Sequence, residues 1–150
     1  PALWRIPVLA AMPQDEELEK LALYLFDLDD LKKVNDGFGY DKGDELITAF
    51  GELLRKNTRN GDILCRYGGD EFVAVLRCVR DPDTVRRKGM EICRSIGDLR
   101  LPDGSRASCS AGAVLCTSTA QHMAALMEQA DKALYRAKRL GKGNCCLWEA

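Results

Sequence analysis

The order of apolar runs along the chain predicts an α+β fold. Residues 21–29, LALYLFDLD, form a compact apolar run typical of a buried strand, and its carboxyl end is acidic. Residues 62–67 and 71–76 are two β-type runs joined through Gly68-Gly69, as in a hairpin. Amphipathic helical patterns separate and follow these runs. The resulting order β-α-α-β-β-α-β-α-β contains the split βαββαβ unit, so we expect a ferredoxin-like or palm-type sandwich with a central antiparallel sheet and added edge elements.

The first half of the chain supplies two helices after the first strand. Residues 29–39 have the pattern of a short helix that stops at Gly37. Residues 41–59 carry apolar side chains at the spacing of an amphipathic helix. Basic residues cluster near the end of this second helix, where the helix dipole favours positive charge.

The second half completes the pattern. Asp81 and Pro82 open a helix over residues 82–96, because proline suits the first turn of a helix. An Asp-Gly turn then precedes a longer strand. A final amphipathic helix ends before Gly141, and residues 144–149, NCCLWE, would close the sheet as an edge strand.

Composition indicates one ordinary globular domain over residues 1–150. The chain is 46% hydrophobic and 30% charged, within the usual range for such domains. Its net charge of −1 provides no basic field for a nucleic-acid backbone, so no nucleic acid is expected as a partner. No apolar run reaches the ~18 residues of a bilayer span, so we expect no membrane contact by this domain.

The start of the chain leads to a separate expectation. The sequence begins without Met, which indicates a piece of a longer protein with its upstream regulatory domains missing. PALWRIPVLAAM is apolar but has no basic segment ahead of it, so a signal peptide is not expected. The sequence leaves open whether the longer protein is tethered to a membrane.

The seven cysteines lack the pattern of a metal site or of a disulfide framework. Their number is odd, no C-x-x-C pair occurs, and the chain has one histidine. Most of them stand where strands would carry small apolar residues. These features predict free thiols in a reducing compartment, and therefore a cytoplasmic location.

Acidic residues end the first strand and begin the second arm of the hairpin. In a ferredoxin-like order the first strand is central, so Asp27 and Asp29 can face Asp70 and Glu71 at the hairpin tip. Carboxylates held together repel unless a cation neutralises them, and hard oxygen ligands favour Mg²⁺ or Mn²⁺. Mg²⁺ often takes its remaining ligands from phosphates, which points to a nucleotide. The alternative is a set of solvated acids on a turn.

Three other site patterns do not fit. The stretch DLDDLKKVNDG begins like a calcium loop, but Lys32 stands where an EF-hand requires glycine. GFGYDKGD is not a phosphate-binding P-loop, because no Lys-Ser or Lys-Thr follows its glycines. Its glycine spacing also misses the dinucleotide-binding pattern by one residue.

Two stretches are recognisable as motifs of a known family. RYGGDEF, preceded by FDLDDLKKVNDGFGYDKGDELI, closely resembles the GGDEF family of diguanylate cyclases. The resemblance runs from Leu21 to Asn144, with several motifs in the right order. That family joins two GTP molecules into cyclic di-GMP and releases two pyrophosphates. The resemblance therefore implies a GTP-dependent nucleotidyltransferase of bacterial signal transduction.

The resemblance also implies a metal site. By position, Asp27 and Asp70 would bind the metal through their side chains, and the Leu28 carbonyl would complete the shell. Glu71 would be a further ligand or would accept the proton of the attacking 3′-hydroxyl. Two Mg²⁺ or Mn²⁺ ions per active site are implied.

Two residues match the family's guanine-reading pair, Asn35 and Asp44. A carboxylate accepts hydrogen bonds from N1–H and the exocyclic amine of guanine. Adenine lacks this pair of donors. Asp44 should therefore favour GTP over ATP.

The same resemblance assigns the phosphate contacts. Lys32 and the backbone after Asp29 would bind the terminal phosphates. Lys138 and Lys142 match the family's second phosphate-binding pair. Arg66, beside the hairpin, would stabilise charge on the transferring α-phosphate.

The family's reaction requires two copies of the domain. Each copy presents one GTP, so a transient homodimer is implied and a lone monomer should be inert. The family's product-inhibition motif R-x-x-D matches Arg59 and Asp62, where cyclic di-GMP would bind. Residues 80–83 and 100–103 also match, so position alone favours the first. The alternative is a polar corner between helix and strand.

This chain departs from the family's usual pattern at several places. Residues 1–20 form a variant N-terminal segment, whose opening PALWRIPVL lacks the Asp, Asn and Arg at the places where the family's usual motif has them. Asp30-Leu31 replaces a common His-Phe, and Tyr40 replaces a common His. Lys142 stands where the family usually has Arg, giving a point charge in place of a bidentate fork.

Two further functions compete with the active cyclase. A catalytically silent module could bind GTP or cyclic di-GMP and signal by protein contact, as the variant N-terminal segment would allow. A protein-interaction domain without nucleotide would leave the acids uncompensated. The complete set of acids and guanine-reading residues favours the enzyme.

Overall fold

The computed structural model describes residues 21–77, 79, 81–116 and 122–149, so the variant segment 1–20 lies outside the described residues. The strands are β1 (Leu21–Leu28), β2 (Ile63–Arg66), β3 (Glu71–Leu76), β4 (Cys109–Cys116) and β5 (Cys145–Leu147). The helices are α1 (Leu31–Phe38), α2 (Tyr40–Lys56), α3 (Pro82–Ile96) and α4 (Met123–Arg139). Within these residues, no helix has both the length and the apolar character that crossing a bilayer requires.

The strands form one five-stranded sheet in the order β2-β3-β1-β4-β5. Strand β1 lies at the centre and runs antiparallel to both neighbours, β3 and β4. Strand β5 pairs in parallel with β4 at one edge, so the sheet is mixed outside its antiparallel centre. The predicted α+β palm-type fold and the central place of the first strand are confirmed.

Side chains of β1 alternate between two apolar layers. Tyr24 and Phe26 belong to the layer that contains α1, α2 and α3. Leu23 and Leu25 belong to the opposite layer, which α4 covers. All 8 residues of β1 are therefore buried. Burying a Leu or Phe side chain contributes roughly 1.5–3 kcal/mol, and the same alternation directs Asp27 to the α4 side.

Helix α4 lies directly on β4 because position 112 is glycine. A Cβ at Gly112 would collide with the carbonyl oxygen of Ala130 and the backbone nitrogen of Leu134. Only a residue without a side chain permits this approach. The close packing brings the last turn of α4, with Lys138, beside the end of β1.

The junction of α1 and α2 differs from its prediction. Helix α1 does not stop at Gly37 but continues to Phe38, and α2 begins at Tyr40. Gly39 breaks the helix with φ 92°, a conformation that glycine adopts without strain. Its amide donates to the Asn35 carbonyl over 3.0 Å, so the chain turns at Gly39, two residues after the predicted stop at Gly37.

The end of α2 also differs from its prediction. The helix ends at Lys56 and not at residue 59. The Asn57 amide side chain donates to the Leu53 carbonyl over 2.8 Å, and the Thr58 hydroxyl donates to the Arg55 carbonyl over 2.9 Å. These side chains satisfy carbonyls that further helical turns would otherwise use.

Several cysteines pack as small core residues. Cys65, Cys93, Cys109 and Cys145 are buried free thiols, as predicted. Burial raises the pKa of the Cys145 thiol, which keeps it protonated. The reducing compartment inferred from these thiols stays a prediction.

Candidate active site

The carboxyl end of β1 meets the start of β3. Asp27 and Glu71 are direct cross-strand partners, so their side chains lie on the same face of the sheet. The Leu28 amide donates to the Asp70 carbonyl oxygen over 3.1 Å. The Tyr67 amide donates to the Glu71 carbonyl over 2.8 Å and closes the hairpin. The structure thus brings together three of the four acids that sequence patterns placed here.

Asp27 is the most buried of these acids, with 4% of its surface exposed. The Lys138 ammonium donates to its Oδ2, whereas its Oδ1 is buried without a hydrogen-bond partner. Burial raises the pKa of Asp27 to about 7; the hydrogen bond from Lys138 opposes this rise, and the nearby charge of Asp70 supports it. The site therefore holds more negative charge than its own lysine neutralises.

Glu71 shares this environment. Burial raises its pKa, the charges of Asp70 and Asp131 raise it further, and the charge of Lys138 lowers it. Burial by itself lowers the pKa of Lys138, but the hydrogen bond and charge of Asp27, together with the charges of Asp70 and Asp29, outweigh burial and the net pKa is raised. Lys138 is therefore held in its charged form between the acids.

The donor set fits a hard divalent cation completed by phosphate and water. In the described ranges, no group of three or more His, Cys, Asp or Glu side chains is arranged to hold a metal ion by itself. The unpartnered buried Oδ1 of Asp27 is nevertheless an available hard ligand. Mg²⁺ characteristically binds through one or two carboxylates together with substrate phosphates. The residues present fit that kind of site.

Asp29 has a different role from its predicted partners at the strand end. Its Oδ2 accepts from the Ser108 hydroxyl over 2.5 Å, and its Oδ1 accepts from the Ser110 hydroxyl over 2.8 Å. The Gly143 amide donates to the same carboxylate over 3.3 Å. The motifs at the end of the first strand did not indicate these partners, although the alternating serines at the start of β4 were an available signal.

The predicted phosphate-binding lysines occupy three separate elements. Lys138 lies in the last turn of α4 beside Asp27. Lys142 lies in the loop after α4 and is exposed. Lys32 lies in the first turn of α1, where its side chain is 90% exposed and 4.0 Å from Asp36. Only Lys138 contacts the acids, and the other two extend into solvent.

The two predicted guanine-reading residues lie at the α1–α2 junction. A Cβ at Gly43 would collide with the Asn35 side-chain oxygen, so glycine allows Asn35 to lie against the start of α2. Asp44 is the next residue along α2 and is exposed. Asp41 and Glu45 line the same surface groove, which is therefore acidic. Such a surface suits a ligand edge that carries hydrogen-bond donors.

Arg66 braces the hairpin. Its Nε donates to the Gly68 carbonyl over 3.1 Å, and its Nη2 donates to the Gly69 carbonyl over 2.7 Å. These bonds hold the two glycines in place ahead of Asp70. The predicted contact of Arg66 with an α-phosphate stays a prediction.

The R-x-x-D stretch forms the corner between α2 and β2. Asp62 accepts from the Arg59 amide over 2.8 Å and from the Arg77 amide over 3.0 Å. The Asp62 amide in turn donates to the Arg59 carbonyl over 3.0 Å. Asp62 therefore has a structural role in this corner, while the Arg59 side chain is exposed.

The chain is similar in sequence to known bacterial proteins. Residues 9–144 match the family model "Diguanylate cyclase, GGDEF domain". The chain is 36% identical over 129 residues to diguanylate cyclase DgcS of Shewanella oneidensis, covering 83% of this chain and 41% of DgcS. The chain thus spans less than half the length of that relative.

Solved structures show the same fold. The active GGEEF domain of a diguanylate cyclase from Vibrio cholerae superposes with a TM-score of 0.80 at 27% identity, covering 88% of this chain and 85% of that one. The GGDEF domain of TpbB from Pseudomonas aeruginosa superposes with a TM-score of 0.78 at 32% identity, covering 90% and 86%. The acids at the end of β1 thus lie in an architecture that these domains share.

Proposed function

Because the chain belongs to the diguanylate cyclase GGDEF-domain family, we propose that it joins two GTP molecules into cyclic di-GMP and releases two pyrophosphates. The observation that carries this proposal is the group formed by Asp27, Glu71 and Lys138 at the end of β1. Carboxylates and an ammonium within one small site can neutralise, orient and deprotonate the groups of a triphosphate reaction.

In the proposed reaction, the 3′-hydroxyl oxygen of one GTP forms a bond to the α-phosphorus of the other. The bond between that phosphorus and the pyrophosphate oxygen breaks, and pyrophosphate leaves with the electron pair. The hydroxyl proton passes to the carboxylate of Glu71, which lies on the same face of the sheet as Asp27. The same step with exchanged roles closes the ring.

Asp27, Asp70 and Glu71, with the Leu28 carbonyl, would hold the two Mg²⁺ or Mn²⁺ ions. When bound, these ions neutralise phosphate charge and polarise the α-phosphate. The unpartnered Oδ1 of Asp27 supports this assignment. Once the Asp27 carboxylate is neutralised by the metal ions, the Lys138 ammonium can leave Asp27 and bind a phosphate oxygen instead.

The guanine base would lie at the α1–α2 junction. Asn35 and Asp44 supply the hydrogen-bonding groups, and the acidic groove around Asp44 favours a base edge rich in donors. A ligand that lacks the N–H donors of guanine would leave the carboxylate without hydrogen bonds, and the site therefore binds such a ligand less well. We therefore propose selection of GTP over ATP at this junction.

The phosphates would be bound by Lys32 and the backbone after Asp29 on one side and by Lys138 and Lys142 on the other. Lys32 and Lys142 are exposed, so both can reach a ligand without breaking core contacts. Arg66 would add positive charge near the α-phosphate while it braces the hairpin.

The proposed reaction needs a transient homodimer, because one domain presents one GTP. Two-fold pairing would place each 3′-hydroxyl in line with the α-phosphate bound by the other copy. Positioning of this kind is worth effective molarities of ~10⁵ M or more in well-oriented reactions.

Cyclic di-GMP would also act as an inhibitor at Arg59 and Asp62, and GTP as substrate indicates a cytoplasmic location.

One contact favours a catalytically silent module as the second candidate. The Lys138 ammonium occupies Oδ2 of Asp27, so a ligand of this carboxylate must displace it. A domain that kept this ion pair could bind GTP or cyclic di-GMP and signal by protein contact without turnover.

GTP turnover at several protein concentrations, with Mg²⁺ and product identified by mass, tests the two candidates. We expect cyclic di-GMP to form faster than linearly with protein and to vanish in Asp70→Ala. Asp98→Ala, at an exposed acid after α3, is the matched control. Binding of GTP without product would contradict the cyclase and support the silent module.

A further inference from the structure

Lys142 adopts a backbone conformation that residues with side chains rarely adopt. Its φ is 61°, and it is the single non-glycine residue with positive φ in the part of the chain that the structure describes. Its neighbours Gly141 and Gly143 also have positive φ, at 122° and 65°. Such a conformation persists when the surrounding structure fixes it, and it often marks a functional position.

Hydrogen bonds fix the loop on both sides of Lys142. The Lys142 amide donates to the Ala137 carbonyl over 3.2 Å. The Asn144 side chain donates to the Lys142 carbonyl over 3.1 Å and to the Ala137 carbonyl over 3.2 Å. The Gly143 amide donates to Asp29 over 3.3 Å and to the Ser110 hydroxyl over 3.2 Å. Hydrogen bonds therefore hold both the amide and the carbonyl of Lys142 and the amide of Gly143.

Two serines hold Asp29 in turn. The Ser108 and Ser110 hydroxyls donate to its two carboxylate oxygens, and the Asp29 amide donates to the Ser108 carbonyl over 2.9 Å. Ser110 is fully buried. We call Asp29, Ser108, Ser110 and Gly143 the Asp29 latch. The latch joins the ends of β1 and β4 to the loop that carries Lys142.

A purely structural loop would not need lysine at this position. Glycine adopts φ 61° without strain, so a loop selected for stability alone would favour glycine at residue 142. The Lys142 ammonium is exposed and has no carboxylate partner among the described residues. The strained backbone therefore presents a positive charge directly beside Gly143, whose amide donates to Asp29.

We propose that Ser108 and Ser110 are positioning residues for the nucleotide phosphates. Through Asp29 and Gly143 they fix the loop so that Lys142 faces the terminal phosphates of GTP. Asp29 serves as the acceptor of the latch, because its two carboxylate oxygens receive hydrogen bonds from two hydroxyls and one amide. This inference rests on the proposed GTP site.

The test compares Ser108→Ala, Ser110→Ala and the double variant with the control Ser95→Ala. The Ser95 hydroxyl donates to the Glu91 carbonyl within α3, away from the latch. Calorimetry with Mg²⁺ measures the Kd of GTP and of GMP, and turnover measures KM and kcat. We expect the double variant to raise the Kd and KM of GTP about 10-fold, since the lost bonds are charge-assisted. The Kd of GMP should stay within about twofold, because GMP lacks the terminal phosphates and is independent of the latch.

A double-mutant cycle with Lys142→Ala separates positioning from general loosening. If the serines act through Lys142, their effect on GTP affinity disappears in the Lys142→Ala background. Ser108→Thr, which keeps the hydroxyl, should retain the affinity of the parent. Thermal melting of each variant checks that it is folded.

The proposal for the latch would be overturned if the serine variants lost equal affinity for GTP and GMP. It would also be overturned if the serine substitutions still weakened GTP binding in the Lys142→Ala background. Normal turnover with unchanged GTP affinity in the serine variants would overturn it and leave the cyclase standing. A parent that binds GTP without turnover contradicts the cyclase alone, because the affinities still decide the latch. A parent that binds no GTP overturns both.

Discussion

Asp27 of β1 and Lys138 of α4 form an ion pair at the carboxyl end of the central strand. The pair joins β1 to α4, because Asp27 stands opposite Glu71 in the sheet and Lys138 lies in the last turn of α4, on the side proposed for the phosphates. One oxygen of Asp27 is paired and the other is not. Oδ2 is thus paired with Lys138 before any ligand binds, while Oδ1 stays available to a cation.

The free energy of unfolding should fall as pH rises from about 4 to about 7. Burial raises the pKa of Asp27 from 3.8 to about 7, so in this window the folded protein binds more protons than the unfolded chain. That contribution to stability is fully present below the ordinary pKa and is lost as pH passes the raised one. Melting temperatures across this range should decline less in Asp27→Asn than in the parent. Asp98→Asn is the control, and parallel curves would refute the assignment.

Asp44→Asn should reduce the preference for GTP over ATP about 10- to 100-fold, since a mispaired hydrogen-bonding group costs about 1–3 kcal/mol. The amide cannot accept from both donors of the guanine edge. KM and kcat for both nucleotides measure the preference. Asp41→Asn changes a neighbouring exposed acid of α2 and should keep it. Equal effects of the two substitutions would remove Asp44 from the base site.

Gly112→Ala should destabilise the fold by about 1–3 kcal/mol, because the added methyl group overpacks the contact between β4 and α4. Denaturant unfolding monitored by circular dichroism measures the change. Gly37→Ala provides the opposite case: it lies in α1 with open space around it and should stabilise by about 1 kcal/mol. A neutral Gly112→Ala would mean that α4 can move away from the sheet at no cost.

Lys142→Gly should stabilise the protein by about 1 kcal/mol while it weakens GTP binding, since a side chain in the left-handed region costs about 1–2 kcal/mol. Chemical unfolding and GTP titration of the same samples measure both effects. Lys142→Ala keeps the strain and should weaken binding without the gain in stability. Tighter GTP binding by the glycine variant would argue against a phosphate contact.

Arg59→Ala should raise the cyclic di-GMP concentration needed for inhibition about 10-fold without lowering Tm, because it removes an exposed charge-assisted donor. Asp62→Ala should lower Tm as well, because it deletes bonds to the Arg59 and Arg77 amides. Inhibition curves and melting curves distinguish the two. Unchanged inhibition in both variants would leave this corner with a structural role alone.

Local patterns predicted much of the fold and part of the site. The apolar run ending in acids indicated β1, and strand alternation with the hairpin indicated that Asp27 and Glu71 would meet. The bonds of Asp29 to Ser108, Ser110 and Gly143 were not predictable in the same way. They depend on the register between β1 and β4 and on how α4 ends, which no short stretch of sequence contains.

The helix ends show the same limit at a smaller scale. Gly37 has the residue type of a helix stop, yet Gly39 is the position with the left-handed φ. The break at the second of these glycines, two residues further on, is accompanied by close packing of Asn35 against Gly43. Propensity predicted a break but not its place.

The alternation along β1 has a consequence for folding fidelity. A slip of one residue in the pairing would send Tyr24 and Phe26 toward α4 and Asp27 into the apolar layer of three helices. Burying an unpaired carboxylate there costs several kcal/mol, whereas an apolar residue at this position would tolerate the error. Asp27, which we propose as a metal ligand, therefore also favours the correct register of its own strand, because a misaligned pairing loses stability.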